Sequence, residues 1–166
     1  MSSDLSGVST EIDPSQLANP VLAFLKDYWD QKRGTRPMPS RADVNPAEMK
    51  QYIRAIVLVD ALPDYADFRY RMIGTNVTDH MLSDATGKTV REAMNRYGEG
   101  VGDNAVAAYA HLARNRLVMR LSGSAAWLQL PHLDFEALHL PLSDDGENVN
   151  MIISAVTFAP AAGIKG

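Results

Sequence analysis

The sequence predicts an α+β domain, with one antiparallel sheet that carries short helices on one face and an N-terminal helix on the other. Strand-like runs occupy residues 56–73, helical spacing with caps takes over from about 75 to 115, and strand-like runs return to about 158. The runs Ile56-Val57-Leu58-Val59 and Met151-Ile152-Ile153 contain no polar alternation, which is the pattern of strands covered on both faces. A chain of 166 residues with 46% apolar side chains is long enough and apolar enough to build one core, and no internal repeat or low-complexity tract interrupts it.

Residues 1–18 are expected as a disordered leader, being rich in Ser, Asp and Gly and without apolar period; residues 19–158 form the domain and 159–166 a flexible tail. Asn19-Pro20 reads as a helix start, with the asparagine as cap and proline at the first helical position. Leu22, Leu25 and Trp29 recur at helical spacing up to Gly34, and Pro37 and Pro39 then hold the chain extended. Asn45-Pro46 opens a short helix ending near Tyr52, with Glu48 placed to complete a capping box.

Pro63-Asp64 turns the first strand into a second, where Phe68, Tyr70 and Met72 alternate with Arg69, Arg71 and Ile73. Thr75 or Asn76 caps a helical turn carrying Val77, Met81 and Leu82; Thr86-Gly87 breaks it, and Val90 to Met94 forms another short helix. A longer helix opens at Asp103, with Ala105, Ala108, Tyr109, Leu112 and Ala113 on one side and Asp103, Asn104, His111 and Arg114 opposite. Leu117 to Leu121, Ala126 to Leu130 and Phe135 to Leu142 read as strands, and Ser143-Asp-Asp-Gly-Glu is a hairpin loop into the last, Val149 to Phe158.

Several chemistries are weakened by residue type alone. The absence of cysteine removes disulfides, thiolate metal sites, Fe–S clusters and a cysteine nucleophile. A net charge of −4 argues against general nucleic-acid binding; Lys32, Arg33, Arg36 and Arg41 have Asp27, Asp30 and Asp43 beside them, and no helix-turn-helix pattern appears. The start of the chain lacks the basic and apolar regions of a signal peptide, and nothing is long and apolar enough to span a membrane, so the expected location is the cytoplasm. Gly87-Lys88-Thr89 lacks the glycine-rich turn of a phosphate loop, since Leu82 stands where the motif needs glycine. His80, His111, His132 and His139 have no metal-pair spacing, and there is no Gly-x-Ser-x-Gly elbow. Asp60, Asp134 and Glu136 lie at or beside strands; one of them at the base of a closed pocket would support an acid–base enzyme on an α+β cone.

The order of elements and a set of local segments resemble a family of small bacterial PAS-like domains common in alphaproteobacteria. The segments are Tyr28-Trp29 with Arg36-Pro-Met-Pro-Ser-Arg-Ala-Asp43 and Pro46, Phe68 to Thr75, Asp84 to Val90, and Leu140 to Gly146. Leu82 is a departure, because the family often has glycine before that loop. The resemblance implies a five-stranded antiparallel sheet cupping short helices around a small-molecule pocket, and a non-catalytic sensory or signalling role. No haem, flavin or chromophore-binding residue carries over, and without cysteine neither flavin–cysteinyl photochemistry nor a thioester-linked chromophore is available; the cofactor, if any, is left unassigned.

Three sets of residues follow as expectations. Tyr70, Met72, Met81, Tyr109 and Trp127 are pocket candidates, with plain core packing as the competing reading. Arg41, Asp43, Arg71 and Asp84 are candidates for a polar network fixing the entry segment against the sheet. Phe24, Tyr28 and Trp29 form an aromatic face for a homodimer, which is also the basis of a rival reading as a ligand-free adaptor. Partners are a second copy or another signalling protein, with no nucleic acid and no membrane.

Overall fold

A computed structural model describes residues 8–9 and 17–162. Its elements are β1 (Val8–Ser9), α1 (Pro20–Arg33), β2 (Ile56–Ala61), β3 (Phe68–Ile73), α2 (Thr75–Thr78), α3 (Val90–Asn95), α4 (Val101–Asn115), β4 (Val118–Ser124), β5 (Leu133–Leu142) and β6 (Met151–Pro160). Five of the strands form one antiparallel sheet in the order β4-β5-β6-β2-β3, and β1 adds two residues to the β4 edge. This is the expected α+β architecture. Among the described residues no helix is long and apolar enough to cross a membrane.

Cross-strand partners point to the same side of a sheet, so the register assigns the faces. Ile56, Leu58, Leu138, Leu140, Ile153 and Ala155 share the outer face, where α1 packs across β5 and β6. Leu22 and Leu25 are fully buried there, and Trp29 donates its indole N–H to the Pro141 carbonyl at 2.8 Å. Asn19 fixes the start of α1 twice. Its Oδ1 accepts from the Val21 N–H at 3.0 Å, while its Nδ2 donates to Glu136 and Thr157 on the sheet at 2.9 and 2.8 Å. The cap therefore sets both where the helix begins and where it sits.

The inner face carries Val57, Val59, Leu121, Ala137, His139, Ser154 and Val156, and α2, α3 and α4 close over it. Gly102 lets α4 approach α3: a Cβ there would collide with the Arg91 backbone carbonyl. The hairpin loop before β6 is organised by Asp145, which accepts from Ser143 Oγ and from the backbone N–H groups of Glu147 and Asn148 at 2.7–2.9 Å.

Five local expectations are corrected. Val8–Ser9 pairs with Val118 and Met119, and Leu17 is buried, although both lie in the expected leader; an edge strand needs backbone hydrogen bonds and no apolar period. Residues 1–7 and 10–16 of that leader lie outside the described residues. The expected tail loses Ala159 and Pro160 to β6, because β5 begins at Leu133 and pairs with them; 163–166 lie outside the described residues. The segment 45–52 forms 3-10 turns, and Glu48 accepts from the Tyr28 hydroxyl at 2.9 Å and pairs with Lys32 where a capping box would turn it back to Asn45. Ala126–Leu128 is a 3-10 turn ended by left-handed Gln129, where Ala126 to Leu130 reads as a strand. Finally, α4 starts two residues early, at Val101, behind left-handed Gly100.

Candidate functional site

Between the inner sheet face and helices α2–α4 lies a cavity of about 310 Å³. The sheet contributes Val57, Tyr70, Phe135, Ala137, His139 and Val156. From α4 come Val101, Asn104, Ala105 and Ala108, a stripe at helical spacing with alanines that leave room where larger side chains would fill it. Asn104 thus belongs to the cavity side and not to the opposite face. The helix packs on two sides, burying Val106, Ala110 and Ala113 along a second stripe. Met81 and Leu82 follow α2, and Trp127, 36% exposed, stands at the edge of the lining on the β4–β5 connection. Its ring meets Tyr97 and Phe135 edge-on at 6.2 and 5.9 Å.

Of the five pocket candidates, Tyr70, Met81, Tyr109 and Trp127 line the cavity and Met72 does not. The reason is a bulge. Leu58 pairs with Met72 and Val59 with Tyr70, so Arg71 is an extra residue on β3. One extra residue reverses the alternation, turning Met72 to the side of Leu58.

The cavity wall carries a hydrogen-bonded polar cluster that sequence reading missed. His139 and Ser154 are directly opposed on β5 and β6, with His139 Nδ1 2.5 Å from Ser154 Oγ. The Tyr109 hydroxyl from α4 also hydrogen-bonds Ser154, and its ring meets the imidazole edge-on at 5.2 Å. Burial holds the His139 imidazole down at about 4, so the ring is neutral at neutral pH. Burial likewise pushes the Tyr109 phenol up to about 12 against the smaller opposite pull of Ser154, and raises Tyr70 well above its ordinary value. The signal lies in the sequence: Phe135, Ala137 and His139 alternate on one face of β5, which places the imidazole among inward-facing apolar residues. Among the described residues no group of three His, Asp or Glu side chains is placed to hold a metal ion.

The proposed polar network is not assembled. Arg71 pairs with Asp60 at 2.9 Å, Asp43 with Arg36 at 2.7 Å and with Ser40, and Arg41 donates to the Val44 carbonyl at 2.9 Å. Asp84 is exposed in a turn with a left-handed backbone. Arg41, Asp43 and Arg71 each find a local partner because Arg71 lies on β3 while Arg41 and Asp43 occupy a separate 3-10 turn. Nor do Phe24, Tyr28 and Trp29 form an exposed face. Tyr28 and Trp29 are 8% and 6% exposed, buried against the chain's own sheet and entry segment, and half-buried Phe24 packs on Tyr52 at 4.8 Å. The three carboxylates considered for acid–base chemistry are absent from the lining: Asp60 meets Arg71, Asp134 accepts from the Ala162 N–H, and Glu136 binds Arg120 on the outer face.

Comparison with known proteins gives three findings. A family model described as a PAS domain matches residues 11–156. No curated protein matches. Among solved structures, an IcIR transcriptional regulator from Alicyclobacillus acidocaldarius is 14% identical, with a TM-score of 0.37 over 96% of this chain and 71% of that chain.

Proposed function

This chain belongs to the PAS domain family, a family of sensory and signalling domains, and from that premise we propose that it is a cytoplasmic sensor that binds a small molecule in the cavity. Binding biases its contacts with a second copy or another signalling protein, and no chemical step on the ligand is required. The observation that supports this reading best is the cavity itself. Protein interiors are normally filled to close packing, yet here alanines face an inner sheet wall across about 310 Å³, within the size range of ligand pockets.

The rival reading as a ligand-free adaptor asks for a filled core and a free aromatic face, and Tyr28 and Trp29 are both buried. Native mass spectrometry of freshly purified protein, compared with the same sample denatured, tests the proposal. A mass lost on denaturation supports it. The bare chain mass, together with no thermal stabilisation by any of a panel of apolar compounds, overturns the ligand-binding half and leaves only partner contact.

A further inference from the structure

Resting on that reading of the cavity as the ligand site, we infer that its ligand is an uncharged aromatic molecule of about two fused rings, carrying one hydrogen-bonding group that meets His139. Size gives the first constraint. An apolar cavity of roughly 150 Å³ takes a single benzene ring, and this one has about twice that volume.

The walls give the second. Tyr70, Tyr109, Trp127 and Phe135 present rings to the space, suited to edge-to-face and offset contacts with a flat aromatic guest. No Lys, Arg, Asp or Glu is among the lining residues, so a charged ligand would be desolvated with no counter-ion.

The polar group gives the third. A neutral imidazole has one donor and one acceptor nitrogen. Ser154 engages Nδ1 and is itself held by Tyr109, which fixes the ring's tilt and leaves Nε2 as the polar atom the imidazole offers to the cavity. Of the other polar side chains on the lining, Asn104 already has a partner and Tyr109 is engaged by Ser154, while the Tyr70 hydroxyl on the same wall is a second polar contact within the space. Burial keeps the imidazole uncharged at neutral pH, so it recognises a hydroxyl or carbonyl and gives no advantage to an anion.

Calorimetric titration of the full chain at pH 7 with 2-naphthol, naphthalene and 2-naphthoate tests the inference. Binding should be tightest for 2-naphthol, about tenfold weaker for naphthalene, which lacks the hydrogen bond, and at least about a hundredfold weaker for 2-naphthoate, whose charge would be buried unpaired. In His139→Leu the naphthol-to-naphthalene ratio should collapse towards one while naphthalene binding persists. Ser154→Ala, a milder change that frees the ring, should reduce the ratio in the same direction, and Ala108→Phe, which fills the space, should abolish binding of all three. Naphthoate binding as tightly as naphthol, or an unchanged ratio in both the His139 and Ser154 variants, overturns the ligand class. A protein that binds none of the probes but releases a charged or acyclic molecule on denaturation refutes the class and keeps the site. One that binds none and releases nothing refutes the site as well.

Discussion

Acidification should destabilise this fold through one buried imidazole, by an amount that can be worked out in advance. His139 has an ordinary value of 6.5 in the unfolded chain and about 4 in the folded protein, lowered by burial. The unfolded state therefore takes up the proton first as pH falls, and protonation pulls the equilibrium towards it. The stability contributed by keeping His139 neutral is complete above about pH 6.5 and is lost progressively down to about pH 4. Integrating between those values gives a loss of about 2 kcal/mol at pH 5 and about 3 kcal/mol at pH 4. For a domain of this size, 2 kcal/mol lowers Tm by roughly 4–8 °C. Contributions common to the two proteins cancel in a comparison, so the quantity to measure is the difference between the protein and its His139→Leu variant. Urea unfolding of both at pH 7 and pH 5 should show the protein losing about 2 kcal/mol more than the variant. Ring-proton NMR of His139 gives an independent reading if the variant does not fold: the resonance should remain that of a neutral imidazole at pH 5. Equal losses in the two proteins, or a ring that titrates near 6.5, would refute the assignment of His139 as a buried neutral group.

Two substitutions separate structural roles that the sequence suggests differently. Trp29→Ala removes a buried indole and leaves the Pro141 carbonyl without its donor, so urea unfolding should show a loss of about 3–5 kcal/mol. At protein concentrations where the variant stays folded, analytical ultracentrifugation should show the same oligomeric state as the parent, because the ring faces the chain's own sheet. Arg71→Ala removes one member of an ion pair whose arginine is 57% exposed, so stability should change by no more than about 1 kcal/mol and Tm by no more than about 4 °C. A larger fall would restore the case for a buried network around Arg71.

Much of the fold is legible in the sequence because its elements follow local rules. Asn19-Pro20 and Gly34 bracket α1 as cap chemistry requires, and the unbroken runs of β2 and β6 are buried on both faces. What local rules miss is set by pairing. The strand-like run Ala126 to Leu130 satisfies an apolar pattern, but it lies where β4 must turn into β5, and a 3-10 turn ending in a left-handed residue makes that connection. The exposed aromatic face predicted on α1 fails for a related reason. Periodicity shows that a helix has an apolar side; whether another chain or its own sheet covers that side depends on where the helix docks, and here the dual role of Asn19 determines it.

The cavity was legible as a region and illegible as chemistry. Its polar group joins residues 109, 139 and 154, which come together only through the β5–β6 register and the lie of α4. Leu82 shows the same limit from the other side. The resemblance marks it as a departure because glycine is often found before that loop, and its backbone is indeed left-handed, with φ of 58°. A leucine in that conformation carries a cost of roughly 1–2 kcal/mol that glycine avoids. Its side chain, 4% exposed, lines the cavity, and its N–H donates to the Tyr97 hydroxyl at 2.7 Å. Burying a leucine contributes about 1.5–3 kcal/mol, enough to offset the strain. The position thus holds a leucine in a backbone conformation that glycine adopts without cost, and the side chain that carries the strain forms part of the cavity wall a ligand would meet.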